Sequence, residues 1–178
     1  MVGESVQLTV PHLVQLLEDV RRLTEAKTIH LIAHSMGNRA LAAALEKLSK
    51  EGPLPRFQQI VFTAPDINAT IFKRLAAMIC PIVERITVYA SPKDRALLAS
   101  KRFHAHPRAG ETLVILPGID TIDASAVDTS LLGHSFFADN RSVLSDIYYL
   151  VKDGKPPTER FGLVARQAVD GTYYSFRV

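Results

Sequence analysis

Between residues 28 and 90 the chain alternates short β-branched apolar runs with runs of strong helix formers, and few folds satisfy that pattern. TIHLIA (Thr28 to Ala33) is short and almost wholly apolar, as a strand buried on both faces of a parallel sheet must be. NRALAAALEKL (Asn38 to Leu48) follows it, rich in Ala and Leu and closed by Gly52 and Pro53 in the order of a helix stop. The alternation repeats with FQQIVFT (Phe57 to Thr63) as a strand, ATIFKRLAAMICPIV (Ala69 to Val83) as a helix and RITVYA (Arg85 to Ala90) as a strand. A helix near Arg95 to Arg102 and a strand at TLVIL (Thr112 to Leu116) extend the series. The spacing predicts a first helix over Thr9 to Leu23, with Thr9 and Pro11 at its start, and a last one over Ser142 to Val151. The expected architecture is α/β: a mostly parallel sheet of about four strands with helices on both faces.

At 178 residues and 47% hydrophobic the chain can bury one core, so a single domain over 1–178 is expected, with 158–178 as an extended tail packed on it. A net charge of +3 without a run of like charges argues against a nucleic-acid-binding surface. One cysteine, Cys80, excludes a disulfide scaffold and fits a reducing compartment. MVGESVQLTVPHL lacks the basic and apolar regions of a secretory signal, and no stretch approaches eighteen apolar residues, so a soluble, cytoplasmic protein is the default expectation.

The chemistry concentrates at Ala33-His34-Ser35-Met36-Gly37, a small-x-Ser-x-Gly string between the first strand and an Ala-rich helix. Chance produces such a string in roughly one chain of this size in ten, so the context carries the signal. A serine hydroxyl is a weak nucleophile and needs exposure, a base and oxyanion donors. A tight strand-to-helix turn supplies the exposure, and small residues at Ala33 and Gly37 let strand and helix approach. His34, at an x position, reads as a packing or loop residue.

This string, extended to IHLIAHSMGNRALAAAL and joined by TAPDI, YASPKDRAL and GIDTIDAS, resembles the α/β-hydrolase superfamily, and within it a bacterial family of uncharacterised function. The resemblance implies a serine hydrolase of esterase type that acts on a carboxylic ester or related acyl compound through an acyl-enzyme and needs no cofactor or metal. It implies the chain order nucleophile, acid, histidine. Ser35 is then the nucleophile and Asp94, after RITVYA, the acid, with Asp66 of TAPDI as the alternative; His134, in LGHSF, is the base. The Met36 N–H becomes one oxyanion donor. Asp120 and Asp123 lie in a segment where ligands bind in open α/β folds, or cap turns. His104 and His106 read as surface loop residues before a metal pair, and His12 and His30 as packing or surface residues.

Such a fold has eight strands, which at about 30 residues per βα unit wants roughly 240 residues. The chain therefore reads as the carboxyl-terminal half of a larger hydrolase, without the strand that would flank TIHLIA and carry the second oxyanion donor. An uncovered TIHLIA edge predicts self-association, a partner supplying the missing half or poor solubility, unless Tyr173 to Val178 folds back over it. The competing expectation is a truncated, inactive hydrolase-like module that binds or assembles. A nucleotide-binding domain lacks its glycine-rich fingerprint here.

Overall fold

A computed structural model describes residues 2–50, 57–92, 106–127 and 140–177. Strands β1 (Leu31–His34), β2 (Phe57–Thr63), β3 (Val83–Ala90) and β4 (Ile119–Asp123) alternate with helices α1 (Val2–Leu23), α2 (Gly37–Leu48), α3 (Ala69–Ile79) and α4 (Arg141–Asp153). A closing pair, β5 (Leu163–Ala168) and β6 (Gly171–Phe176), completes a sheet in the order β1-β2-β3-β4-β6-β5. All neighbouring pairs are parallel except β5 with β6. The carboxyl ends of β1 to β4 consequently share one edge of the sheet.

Burial follows the two-residue period of the strands. Ile60 and Phe62 of β2 and Ile86 and Val88 of β3 face one way, into a core shared with Leu41, Leu45 and Leu48 of α2 and Phe72 and Leu75 of α3. Val61 and Tyr89 face the other way, onto Val143, Ile147 and Leu150 of α4. Helices cover both faces, as expected.

Several elements depart from the sequence reading for identifiable reasons. Helix α1 runs from Val2, so Thr9 and Pro11 lie inside it; the Thr9 hydroxyl donates to the Ser5 carbonyl at 2.8 Å, the i−4 bond of a helix interior and not a cap. Helix α3 stops at Ile79, where Pro81 enforces a short 3-10 turn (Cys80–Ile82) before β3 begins at Val83. Asn68 starts α3 by accepting from the N–H groups of Thr70 and Ile71. TLVIL forms no strand. The ladder with β3 is made instead by IDTID, while Val114 is buried and its carbonyl accepts the Thr121 hydroxyl at 2.6 Å. Apolar content misplaced that strand because Asp120 is neutralised within the fold, 2.7 Å from Arg85. The helix expected near Arg95 to Arg102 lies outside the described residues.

Among the described residues the sheet has six strands against an expectation of about four, because residues 163–176 fold as a hairpin that extends it. The hairpin joins β4 at the far side, so among the described residues β1 is an edge strand, with Ile32 45% exposed. Behind the hairpin, Arg160 is buried against Asp146 of α4 (3.2 Å) and Tyr89 of β3 (3.4 Å), and the Tyr89 hydroxyl donates to Asp146 at 2.6 Å. Burial raises the Asp146 pKa although Arg160 pulls against it, and burial then Asp146 push Tyr89 well above the ordinary phenol range. Among the described residues no helix is long and apolar enough to cross a membrane.

Candidate active site

Strand β1 ends at His34 and α2 begins at Gly37, so the turn between them is carried by Ser35 and Met36 alone. Ser35 takes φ of 51°, a conformation uncommon in a non-glycine residue and persistent only where its surroundings impose it. Here they do. The Ser35 N–H donates across the sheet to the Thr63 carbonyl at 3.0 Å, and the Ser35 carbonyl accepts from the Asn38 N–H at 3.1 Å. The Asn38 side chain is fully buried, and its Nδ2 donates to both the Ser35 carbonyl (2.8 Å) and the Thr63 carbonyl (2.9 Å). The Thr63 hydroxyl reaches back to the Ala33 carbonyl at 2.9 Å. One amide thus clamps the turn to the neighbouring strand and fixes the serine at the carboxyl edge of the sheet.

Met36 follows in helical conformation (φ −62°, ψ −27°), and its N–H meets no acceptor among the described residues. It points with the first N–H groups of the twelve-residue α2, where partial positive charge accumulates. The steric argument for Gly37 does not hold in this geometry: a Cβ there would meet nothing within 4 Å. His34 is partly buried at the end of β1.

Asp66 sits in the loop after β2, where Ala64 also takes a positive φ, 43°. Its backbone N–H lies 3.4 Å from the Ser35 carbonyl. Its carboxylate is held by two cations, Arg39 Nη2 on Oδ2 at 2.7 Å and Arg108 Nε near Oδ1 at 3.2 Å. Asp94 lies shortly beyond the carboxyl end of β3, and His134 beyond that of β4, both outside the described residues, as is His104. The flanking residues are described: Ser91 is buried with its N–H on the Gly110 carbonyl at 2.9 Å, and Asn140 Nδ2 donates to the Val127 carbonyl at 2.6 Å. The chain enters and leaves the His134 segment through that last contact.

Asp123 accepts from the Ser125 N–H at 2.9 Å, a turn-capping use. Asp120 is taken by Arg85, with Arg160 4.0 Å away. His106 and His12 are exposed, and burial lowers the pKa of the half-buried His30 against the pull of Glu84. Among the described residues no three His, Cys, Asp or Glu side chains gather as metal ligands would.

Sequence reasoning missed Asn38, Arg39 and Arg108. An asparagine within an otherwise Ala- and Leu-rich helix start is a detectable signal for the first, since such a residue is uncommon there without a hydrogen-bonding task. The arginines carry no local signal; they meet only through the fold. A protein-family model described as an alpha/beta hydrolase of unknown function (DUF900) matches residues 3–151, well over half of the chain. No curated protein and no solved structure matches it.

Proposed function

With the chain a member of this α/β-hydrolase family, we propose that it is a serine hydrolase that cleaves a carboxylic ester or related acyl substrate through an acyl-enzyme. The observation that carries the reading is Ser35 itself, held at φ 51° in a strand-to-helix turn with the unengaged Met36 N–H beside it. Ser35 Oγ attacks the acyl carbon, its proton passing to His134. The Met36 N–H supports the oxyanion, and His134 returns the proton to the leaving group; water then repeats the sequence on the ester. Asp94 holds the His134 tautomer and stabilises the imidazolium. Asp66 suits that role less well, because both its carboxylate oxygens face arginines.

The test compares turnover of a short 4-nitrophenyl ester by the wild type, Ser35→Ala, Asp94→Asn and Asp66→Asn. Ser35→Ala removes turnover, and Asp94→Asn lowers kcat by about 10⁴-fold, the order seen when a triad acid is neutralised. Equal losses in the two aspartate variants overturn the assignment of the acid. A second reading, a hydrolase-like binding or assembly module, is favoured by the absence of any strand beyond β1 among the described residues. Loss of one oxyanion donor costs about 10²–10³ in rate. Folded protein that neither turns over esters nor reacts at Ser35 selects that reading.

A further inference from the structure

The hydrolase reading gives Arg108 no role. Its side chain is only 11% exposed. Yet it makes one ionic contact, Nε near Asp66 Oδ1, and that contact lacks hydrogen-bond geometry. Its Nε is the atom buried without a hydrogen bond, while its Nη groups make no hydrogen bond to a described residue. Arg39, 24% exposed, spends Nη2 on Asp66 Oδ2 and Nε on the Asp66 carbonyl, and its Nη1 is likewise unengaged. Two guanidinium groups therefore share one carboxylate. Guanidinium N–H groups that no described residue takes up, at the edge of the sheet beside the elbow, remain available to a ligand.

The position is as specific as the charge. Asp66 lies one backbone contact from Ser35, at the carboxyl edge where open parallel sheets bind ligands. Arg39 stands in the first turn of α2, directly after the elbow. Arg108 is held by its backbone: Ala69 N–H donates to the Pro107 carbonyl (3.0 Å), Ala109 N–H to Ile67 (2.8 Å) and Gly110 N–H to Pro65 (2.9 Å). Its own N–H donates to Glu111 Oε2 at 3.2 Å. Gly110 permits this approach, because a Cβ there would lie 2.7 Å from the Ala64 carbonyl carbon. These bonds fix the backbone from which the Arg108 side chain departs.

We propose that Arg39 and Arg108 form a carboxylate-binding subsite beside Ser35, so that the substrate is an ester of an acid bearing a second, free carboxylate. The inference rests on the hydrolase reading for the word substrate, but not for the subsite. Guanidinium forks match planar carboxylates bidentately. The Nη groups left over from Asp66 are the donors such a fork would use.

The experiment compares kcat/KM for 4-nitrophenyl hydrogen adipate with that for 4-nitrophenyl hexanoate, esters of equal chain length that differ in the terminal carboxylate. The wild type favours the anionic ester by tenfold or more. Arg108→Gln and Arg39→Gln bring that ratio to within twofold of unity, and Arg108→Lys, which keeps charge but not the fork, restores it in part. A wild-type ratio near unity, or a ratio unchanged in folded variants, overturns the proposal. Calorimetry on Ser35→Ala protein reads the subsite without turnover: monomethyl adipate binds at least tenfold more tightly than dimethyl adipate, and Arg108→Gln or Arg108→Lys reduces the difference. Tighter binding of inorganic phosphate than of monomethyl adipate overturns the carboxylate assignment. Absence of turnover of both esters removes the hydrolase reading, and the calorimetry still decides the subsite.

Discussion

Asn38 offers the sharpest test of how the elbow is held. Asn38→Ala removes two hydrogen bonds from Nδ2, a partly buried one of 2.8 Å to the Ser35 carbonyl and a buried one of 2.9 Å to the Thr63 carbonyl. Neither carbonyl is orphaned, since Ser35 keeps the Asn38 N–H and Thr63 keeps the Ser35 N–H. The loss is then the net value of two ordinary bonds, about 1–3 kcal/mol together. For a chain of this length that is roughly 2–12 °C in Tm. Asn38→Asp does more than delete: it places an acceptor where the donor was, facing two carbonyl oxygens, and buries an unpaired charge whose effective penalty is several kcal/mol. Urea denaturation at pH 7 therefore orders the proteins wild type, Asn38→Ala, Asn38→Asp. Burial raises the pKa of the new carboxyl, so its protonated form is the one the fold accepts. Stability linked to it is present at acid pH and lost as pH rises through the folded pKa. The gap between the two variants accordingly narrows as pH is lowered. Asn38→Ala within about 0.5 kcal/mol of wild type, or equal stabilities of the two variants at neutral pH, would refute the clamp.

Two further outcomes follow from other parts of the fold. Arg160→Met leaves Asp146 buried without its cation and costs about 3–5 kcal/mol at neutral pH. Because burial already raises the Asp146 pKa, the carboxyl is tolerated when protonated; the deficit should shrink from pH 7.5 to pH 4.5, and a pH-independent deficit contradicts the assignment of the cluster. We also propose that the edge of β1 that no described strand pairs joins a second chain, as unpaired edges invite. Sedimentation velocity should show association of the wild type that Ile32→Lys weakens, and a monomeric wild type at high concentration rules the pairing out.

The parallel strands were legible in the sequence as short, largely apolar runs: FQQIVFT is β2 to the residue although it carries two glutamines. TIHLIA, expected to be buried on both faces, forms a strand only from Leu31 and is partly exposed because β1 lies at the edge of the described sheet. IDTID was not legible, because its ladder position depends on Arg85, which lies in another strand and reaches Asp120 only after folding. The tail hairpin was read as a tail for a similar reason: LVARQA exposes four of its six residues and has no apolar run to announce it. At the site the elbow was visible, since strand, turn and helix are contiguous. The cations around Asp66 come from residues 39 and 108 and converge through tertiary contacts, for which single-sequence spacing holds no signal. Gly37 illustrates the reverse error, a motif position credited with a steric demand that its surroundings do not make.

The reactivity of Ser35 decides whether this chain is a serine hydrolase. Treatment of the folded protein with a fluorophosphonate, followed by mass spectrometry of its peptides, is predicted to give one adduct, on the peptide containing His34-Ser35-Met36, absent in Ser35→Ala and suppressed in His134→Ala. Labelling that persists in Ser35→Ala, or a folded wild type that takes up no label, would contradict it.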